Sequence, residues 1–124
     1  MVRRPERLAE ALREEIVEVV GFELTDPRVL GVTVTDVTVT DDLRDAKVYV
    51  VVEGNEAEKT KAMKALQHAS IFVRQQVAMN LSLRHVPHLY FVRDTAEENA
   101  AKVNEIIADL TNKGELNERI EDES

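Results

Sequence analysis

The chain has no cysteine and no tryptophan. Without thiols it can form neither a disulfide nor a thiolate metal centre, which suits a reducing, cytoplasmic setting. Two Tyr and three Phe are its only aromatic residues. That weighs against an RNA binder that works mainly by stacking bases on rings. The four glycines stand apart from one another, so there is no glycine-rich loop to cradle a phosphate. No apolar run approaches the roughly 18 residues that a membrane-spanning helix needs. The opening segment, MVRRPERLAEALREE, is charged throughout and lacks the apolar centre of a signal peptide. These absences lead to the expectation of a soluble chain with no membrane partner. Its 124 residues suffice for one domain with its own core.

Charge is plentiful but uneven. The net charge is −8, yet residues 1–93 carry 13 Lys and Arg against 14 Asp and Glu, whereas residues 94–124 carry 3 against 10. The acidity is concentrated in the last quarter. With a Debye length of roughly 8 Å at physiological salt, cations elsewhere remain free to act locally.

The longest patterned stretch runs from Asn55 to Arg93. Ala62, Leu66, Ala69, Val73, Val77 and Leu81 recur at steps of three or four, the stripe of an amphipathic helix. The stripe does not lose phase, so spacing predicts one continuous helix. Asn55 followed by Glu58 reads as its capping box, and Pro87 closes the region. An earlier helix is expected over residues 3–22, with Pro5 in its first turn and Leu8, Leu12, Ile16, Val19 and Val20 facing a core. Its N-terminus gathers Arg3, Arg4 and Arg7, cations where the helix dipole favours acids, and that order hints at a partner for them.

Residues 29–40 alternate Val with Thr, and the phase slips at Asp36–Val37, where a bulge would keep Val34 and Val37 on one face. Residues 46–53 alternate again. With the polar link between them, the two runs predict a β-hairpin. Residues 88–93 are short and mostly apolar, which predicts a third strand at the centre of the sheet. A last helix is expected over 96–112, with Thr95 and Glu98 as a second capping box, followed by an acidic, disordered tail over 113–124. The order is α-β-β-α-β-α: an α+β domain over 1–112 with a three-stranded sheet and helices on one face.

Catalytic motifs are missing. His85 and His88 are a His pair without further ligands nearby in sequence. Asp41, Asp42 and Asp45 lack the spacing of a calcium loop. Ser70 and Ser82 stand outside any nucleophile elbow. Neither a metal nor a cofactor is expected, and the chain is not expected to be an enzyme. The basic residues remain as the lead. Arg44 and Lys47 flank the hairpin turn, Lys61 and Lys64 lie on the long helix, and Arg74 and Arg84 follow.

Several blocks resemble the bacterial ribosome-binding factor A family. They are Arg3–Arg7 opening the first helix, Thr25-Asp26-Pro27-Arg28, Val32-Thr33-Val34-Thr35-Asp36-Val37, Asp42-Leu43-Arg44-Asp45-Ala46-Lys47-Val48-Tyr49-Val50, the segment from Ala65 to Arg74, and Leu83-Arg84-His85-Val86-Pro87-His88-Leu89-Tyr90-Phe91. The resemblance implies a single type II KH-like domain, α-β-β-α-kink-α-β. It also implies a monomeric factor that binds the 30S subunit through 16S rRNA and assists its late maturation, including processing of the RNA's 5′ end, with a role in growth in the cold. The family bends between its two core helices at Ala-x-Gly. Here the match is Ala69-Ser70-Ile71, with Ile where Gly is expected. The RNA-binding residues the resemblance and the charge pattern together imply are Arg3, Arg4, Arg7, Arg44, Lys47, Lys61, Lys64, Ala69, Ser70, Ile71, Arg74 and Arg84. The alternative is a protein–protein adaptor that uses the acidic C-terminal helix and tail.

Overall fold

The structure, a computed structural model, describes residues 3–96. The chain divides into units 1–94 and 95–124, and the first is the body described below. The helix expected over 96–112, its capping pair and the tail over 113–124 fall almost wholly outside the described residues.

Helix α1 spans Arg4–Glu18. The Glu6 carboxylate accepts the Arg3 backbone N–H at 2.8 Å, satisfying a donor next to the first turn. Leu12 and Ile16 are fully buried on its inner face. The helix then widens into a π-helical turn, Val19–Glu23, where the Leu24 N–H reaches back five residues to the Val19 carbonyl at 3.1 Å. The single helix expected over 3–22 is therefore an α-helix with a wider last turn. That turn keeps both Val19 and Val20 in the core and leaves Phe22 exposed.

Strands β1 (Val32–Val39) and β2 (Asp45–Val52) pair antiparallel. The register shifts between Val34 and Asp36, so the bulge expected at Asp36–Val37 lies just upstream, at Thr35. It places Val34 and Val37 together on the buried face. Thr35, the extra residue, donates its hydroxyl to Asp94 Oδ2 at 2.6 Å. Asp26 caps the short 3₁₀ turn Pro27–Val29 that leads into β1.

Helices α2 (Glu56–His68) and α3 (Ser70–Leu81) carry the chain across to β3 (His88–Arg93). The capping box forms as expected: Asn55 Oδ1 accepts from Glu58 N at 2.9 Å, and Glu58 Oε1 accepts from Asn55 N at 3.0 Å. The continuous helix expected from spacing is in fact two. Ala69 sits at φ −83°, ψ −3° and interrupts the helix for one residue. Its N–H is shared between the Ala65 and Leu66 carbonyls, and the Val73 N–H picks up the Ala69 carbonyl at 2.9 Å. A one-residue break preserves the spacing, so Leu66, Val73 and Val77 all remain fully buried. Because φ stays negative at the junction, glycine is not required there. Ile71 lies inside α3's first turn and is exposed.

The sheet order is β1-β2-β3, with β3 parallel to β2 and at the edge. The expectation that β3 is central is thus corrected. Its apolar character has another cause. Leu89 and Phe91 face the helices, and Gln67 of α2 bonds backbone groups on its outer edge. The Gln67 amide accepts from the Phe91 N–H and donates to the Leu89 carbonyl, both at 3.2 Å, as a neighbouring strand would. The described helices pack on the sheet face that carries Val34, Val37, Val48 and Val50, and no described helix covers the other face, called the open face below.

Candidate nucleic-acid interface

The β1–β2 turn is built around Asp42. Its Oδ1 accepts from the Thr40 hydroxyl at 2.7 Å and from the Arg44 N–H at 3.1 Å. These bonds, the hydroxyl first, hold its carboxyl below the usual carboxylate range, so it stays ionised and engaged within the turn. Leu43 takes the left-handed conformation at φ 62°, with its N–H on the Thr40 carbonyl at 2.9 Å. Arg44 leaves the turn with an exposed side chain.

Two other segments meet this turn. The Arg44 carbonyl accepts from His88 N at 2.9 Å, fixing the start of β3 beside it. Upstream, the Arg74 guanidinium donates to the Pro87 and Val86 carbonyls at 3.1 and 2.9 Å, holding the α3–β3 loop that carries Arg84 and His85. Arg3 bonds Asp41 at 2.6 Å, tying the start of α1 to the same turn.

The three segments enclose a cleft of about 680 Å³, lined by Arg4, Arg7, Arg44, Arg84, His85 and Asp42 over Leu8, Leu43 and Leu83. The four guanidinium groups are exposed and have no carboxylate partner among the described residues. Four cations face one carboxylate that is already bonded. Like charges drawn together at the N-terminus of a helix oppose the macrodipole and one another, and an anion in the cleft would relieve both.

The remaining sequence candidates lie elsewhere. Lys47 is on the open sheet face, opposite Tyr90 in the β2–β3 register. Lys61 lines a hollow at the far end of the sheet with Arg28, Glu53 and Glu58. Lys64 is exposed on α2. Ala69, Ser70 and Ile71 form the helix junction and are not among the residues that line the cleft. Arg74 is half-buried and bonded to backbone carbonyls, so its geometry is that of a positioning residue. His85 joins the cleft although sequence reading weighed it only as a metal ligand. Among the described residues no three His, Asp or Glu group closely enough to hold a metal ion, and no helix is long and apolar enough to cross a membrane.

A mixed three-stranded sheet in the order β1-β2-β3, layered on one face by a broken helix pair and a preceding helix, is the type II KH-like arrangement, and the cleft gives this example an unpaired cationic end. The chain belongs to the ribosome-binding factor A family, whose model, "Ribosome-binding factor A", matches residues 4–107. It is 42% identical over 102 residues to the ribosome-binding factor A of Solibacter usitatus, covering 82% of this chain and 83% of that protein. It superposes on the crystal structure of ribosome-binding factor A from Thermus thermophilus with a TM-score of 0.64 at 26% identity, over 73% of this chain and 97% of that one. A Thermus thermophilus ribosome binding factor A homology model, fitted into the cryo-EM map of a 30S complex, matches with a TM-score of 0.51 at 31% identity, over 70% of this chain and 87% of that one.

Proposed function

We propose that this chain is an assembly factor that binds the free small ribosomal subunit in the cytoplasm through its 16S rRNA and assists late maturation, including processing at the RNA's 5′ end. Its work is binding rather than catalysis. The observation that carries the reading is the convergence of Arg4, Arg7, Arg44 and Arg84 on one cleft without acidic partners among the described residues. Guanidinium forks match phosphate oxygens in charge and geometry. The family supports the same reading, since one of its members has been placed in a 30S complex.

The test is co-sedimentation of the purified chain with free small subunits, large subunits and assembled ribosomes at several salt concentrations. The expected result is selective binding to small subunits. Engagement of all four guanidinium groups would give a slope of log K against log salt of about −3. Absence of binding to any particle at low salt would overturn the reading. A subunit that matures its 16S 5′ end normally when the chain is depleted would remove the processing role alone.

A further inference from the structure

The open face of the sheet gathers the only two tyrosines of the chain. Tyr49 lies on β2 and Tyr90 on β3, where Tyr90 is 48% exposed. The register sets Thr38 against Lys47 and Lys47 against Tyr90, one row across all three strands, with Tyr49 on the adjacent diagonal. These side chains, with Thr40 and Asp45, line a hollow of about 490 Å³. Neither tyrosine hydroxyl and no atom of the Lys47 ammonium is bonded to a described residue.

This hollow differs in chemistry from the arginine cleft. It sets one cation, Lys47, against one anion, Asp45, beside two aromatic rings. A phosphate gains little there, because the carboxylate cancels the ammonium. A flat, uncharged group with donors and acceptors on its rim fits better: the rings offer stacking, and Lys47, Asp45 and the hydroxyls offer hydrogen bonds. The hollow and the cleft also adjoin the same turn. Both are bounded by the β1–β2 turn, through Thr40 and Asp45 on one side and Asp42, Leu43 and Arg44 on the other. A strand whose phosphates lie in the cleft has only to pass this turn to reach the open face.

We infer that the open sheet face is a second RNA contact, which takes an unpaired nucleobase stacked on Tyr90 and Tyr49 while the arginine cleft holds the neighbouring phosphates. The inference rests on the RNA-binding reading above and adds the class of RNA: a single-stranded or flipped-out nucleotide beside the backbone contact. Two rings accommodate one or two bases, not a long track, which is consistent with a chain so poor in aromatics.

The test uses the full chain and two labelled RNA probes, a short oligoadenylate and the same oligomer with abasic sites. Binding is followed by anisotropy and by tyrosine emission, which is not masked because tryptophan is absent. The base-bearing probe should bind roughly five- to a hundredfold tighter and quench the tyrosines. Tyr90→Leu should abolish most of that gap without changing abasic affinity, Tyr90→Phe should keep it, and Tyr49→Leu should narrow it. Arg84→Glu should weaken both probes in parallel with the gap intact. Equal affinity of the wild type for the two probes, both still sensitive to Arg84→Glu, would overturn the stacking site and leave the cleft reading standing. An equal loss for both probes in Tyr90→Leu would overturn it as well. Failure of the wild type to bind either probe at low salt would overturn both readings together.

Discussion

The two ends of the sheet treat charge in opposite ways. At the end where β1 begins and β2 finishes, the arginines are matched. Arg28 holds Asp26 through both oxygens, the shortest contact being 2.6 Å, and Arg93 bonds Glu56 at 2.9 Å. Glu58 closes the α2 capping box, and Lys61 faces a hollow shared with Glu53 and Glu58. At the hairpin-turn end, Arg4, Arg7, Arg44 and Arg84 share a cleft in which the one carboxylate is held by its own turn. Both ends are exposed, and both hold several cations. What separates them is whether the protein's own carboxylates neutralise them. A matched end serves the fold. An unmatched one carries repulsion that only an external anion relieves, as expected where local rules give way to binding.

The largest expected effect is on binding. Arg44→Glu with Arg84→Glu should lower small-subunit affinity by roughly a hundredfold and flatten its salt dependence, because two charge-assisted contacts become repulsive. Lys61→Glu at the matched end should change affinity by less than about threefold, with local screening confining its influence. Equal losses at the two ends, read by co-sedimentation, would erase the contrast.

Stability should respond in the opposite pattern. Gly54 has φ +115°, and a Cβ there would lie 2.9 Å from Glu58 Oε1, the atom that accepts the Asn55 N–H. Gly54→Ala should cost roughly 1–3 kcal/mol in chemical denaturation while RNA affinity holds. Arg74→Met removes the bonds to the Pro87 and Val86 carbonyls and should cost on the order of 2 kcal/mol. It should also weaken binding, since the loop carrying Arg84 loses its anchor.

Neutralising the unmatched end should stabilise the free protein. Arg4→Gln and Arg7→Gln are each expected to raise stability by about 0.3–1 kcal/mol at low salt, as a cation leaves the positive end of α1. The gain should vanish in added phosphate, which a thermal melt with and without phosphate would show.

The smallest effect is that of acid on the matched end. The Arg28 guanidinium and backbone N–H lower the Asp26 pKa from 3.8 to about 2. A depressed carboxylate pKa contributes stability that is complete above the unfolded value and is lost as pH falls through the folded one. Asp26→Asn should therefore remove a small part of the acid destabilisation between about pH 4 and pH 2. An unchanged acid limb in the variant would show that the pair does not contribute.

Much of the fold was legible because its signals are local. The slipped Val and Thr alternation, read at Asp36–Val37, marked a bulge that falls just upstream at Thr35, and the Asn55–Glu58 spacing marked the capping box. The break at Ala69 was not legible in the spacing, although the family resemblance implied a kink at Ala69-Ser70-Ile71. A single residue at ψ near zero redirects the axis yet leaves Leu66 and Val73 on the same buried stripe, so periodicity passes through it unchanged. The position of β3 misled for a related reason. An apolar edge strand resembles a central one when Gln67, a polar residue with no distinguishing pattern, closes its free edge.

The sequence by itself determined the secondary elements, the hairpin, the crossover to a third strand and the membership blocks of the family. All of these depend on neighbours within a few positions or on ordered local motifs. It supplied the cations but not their meeting place. Arg4 and Arg7, Arg44 and Arg84 come from three segments far apart in the chain, and Lys61 looks the same in sequence as any of them. Only the tertiary structure decided which cations converge and which find acids, because electrostatic coupling depends on distance through space and fades within roughly a Debye length of 8 Å. The same is true of Tyr49 and Tyr90, scarce residues in the sequence that a parallel strand pairing sets side by side on one open face.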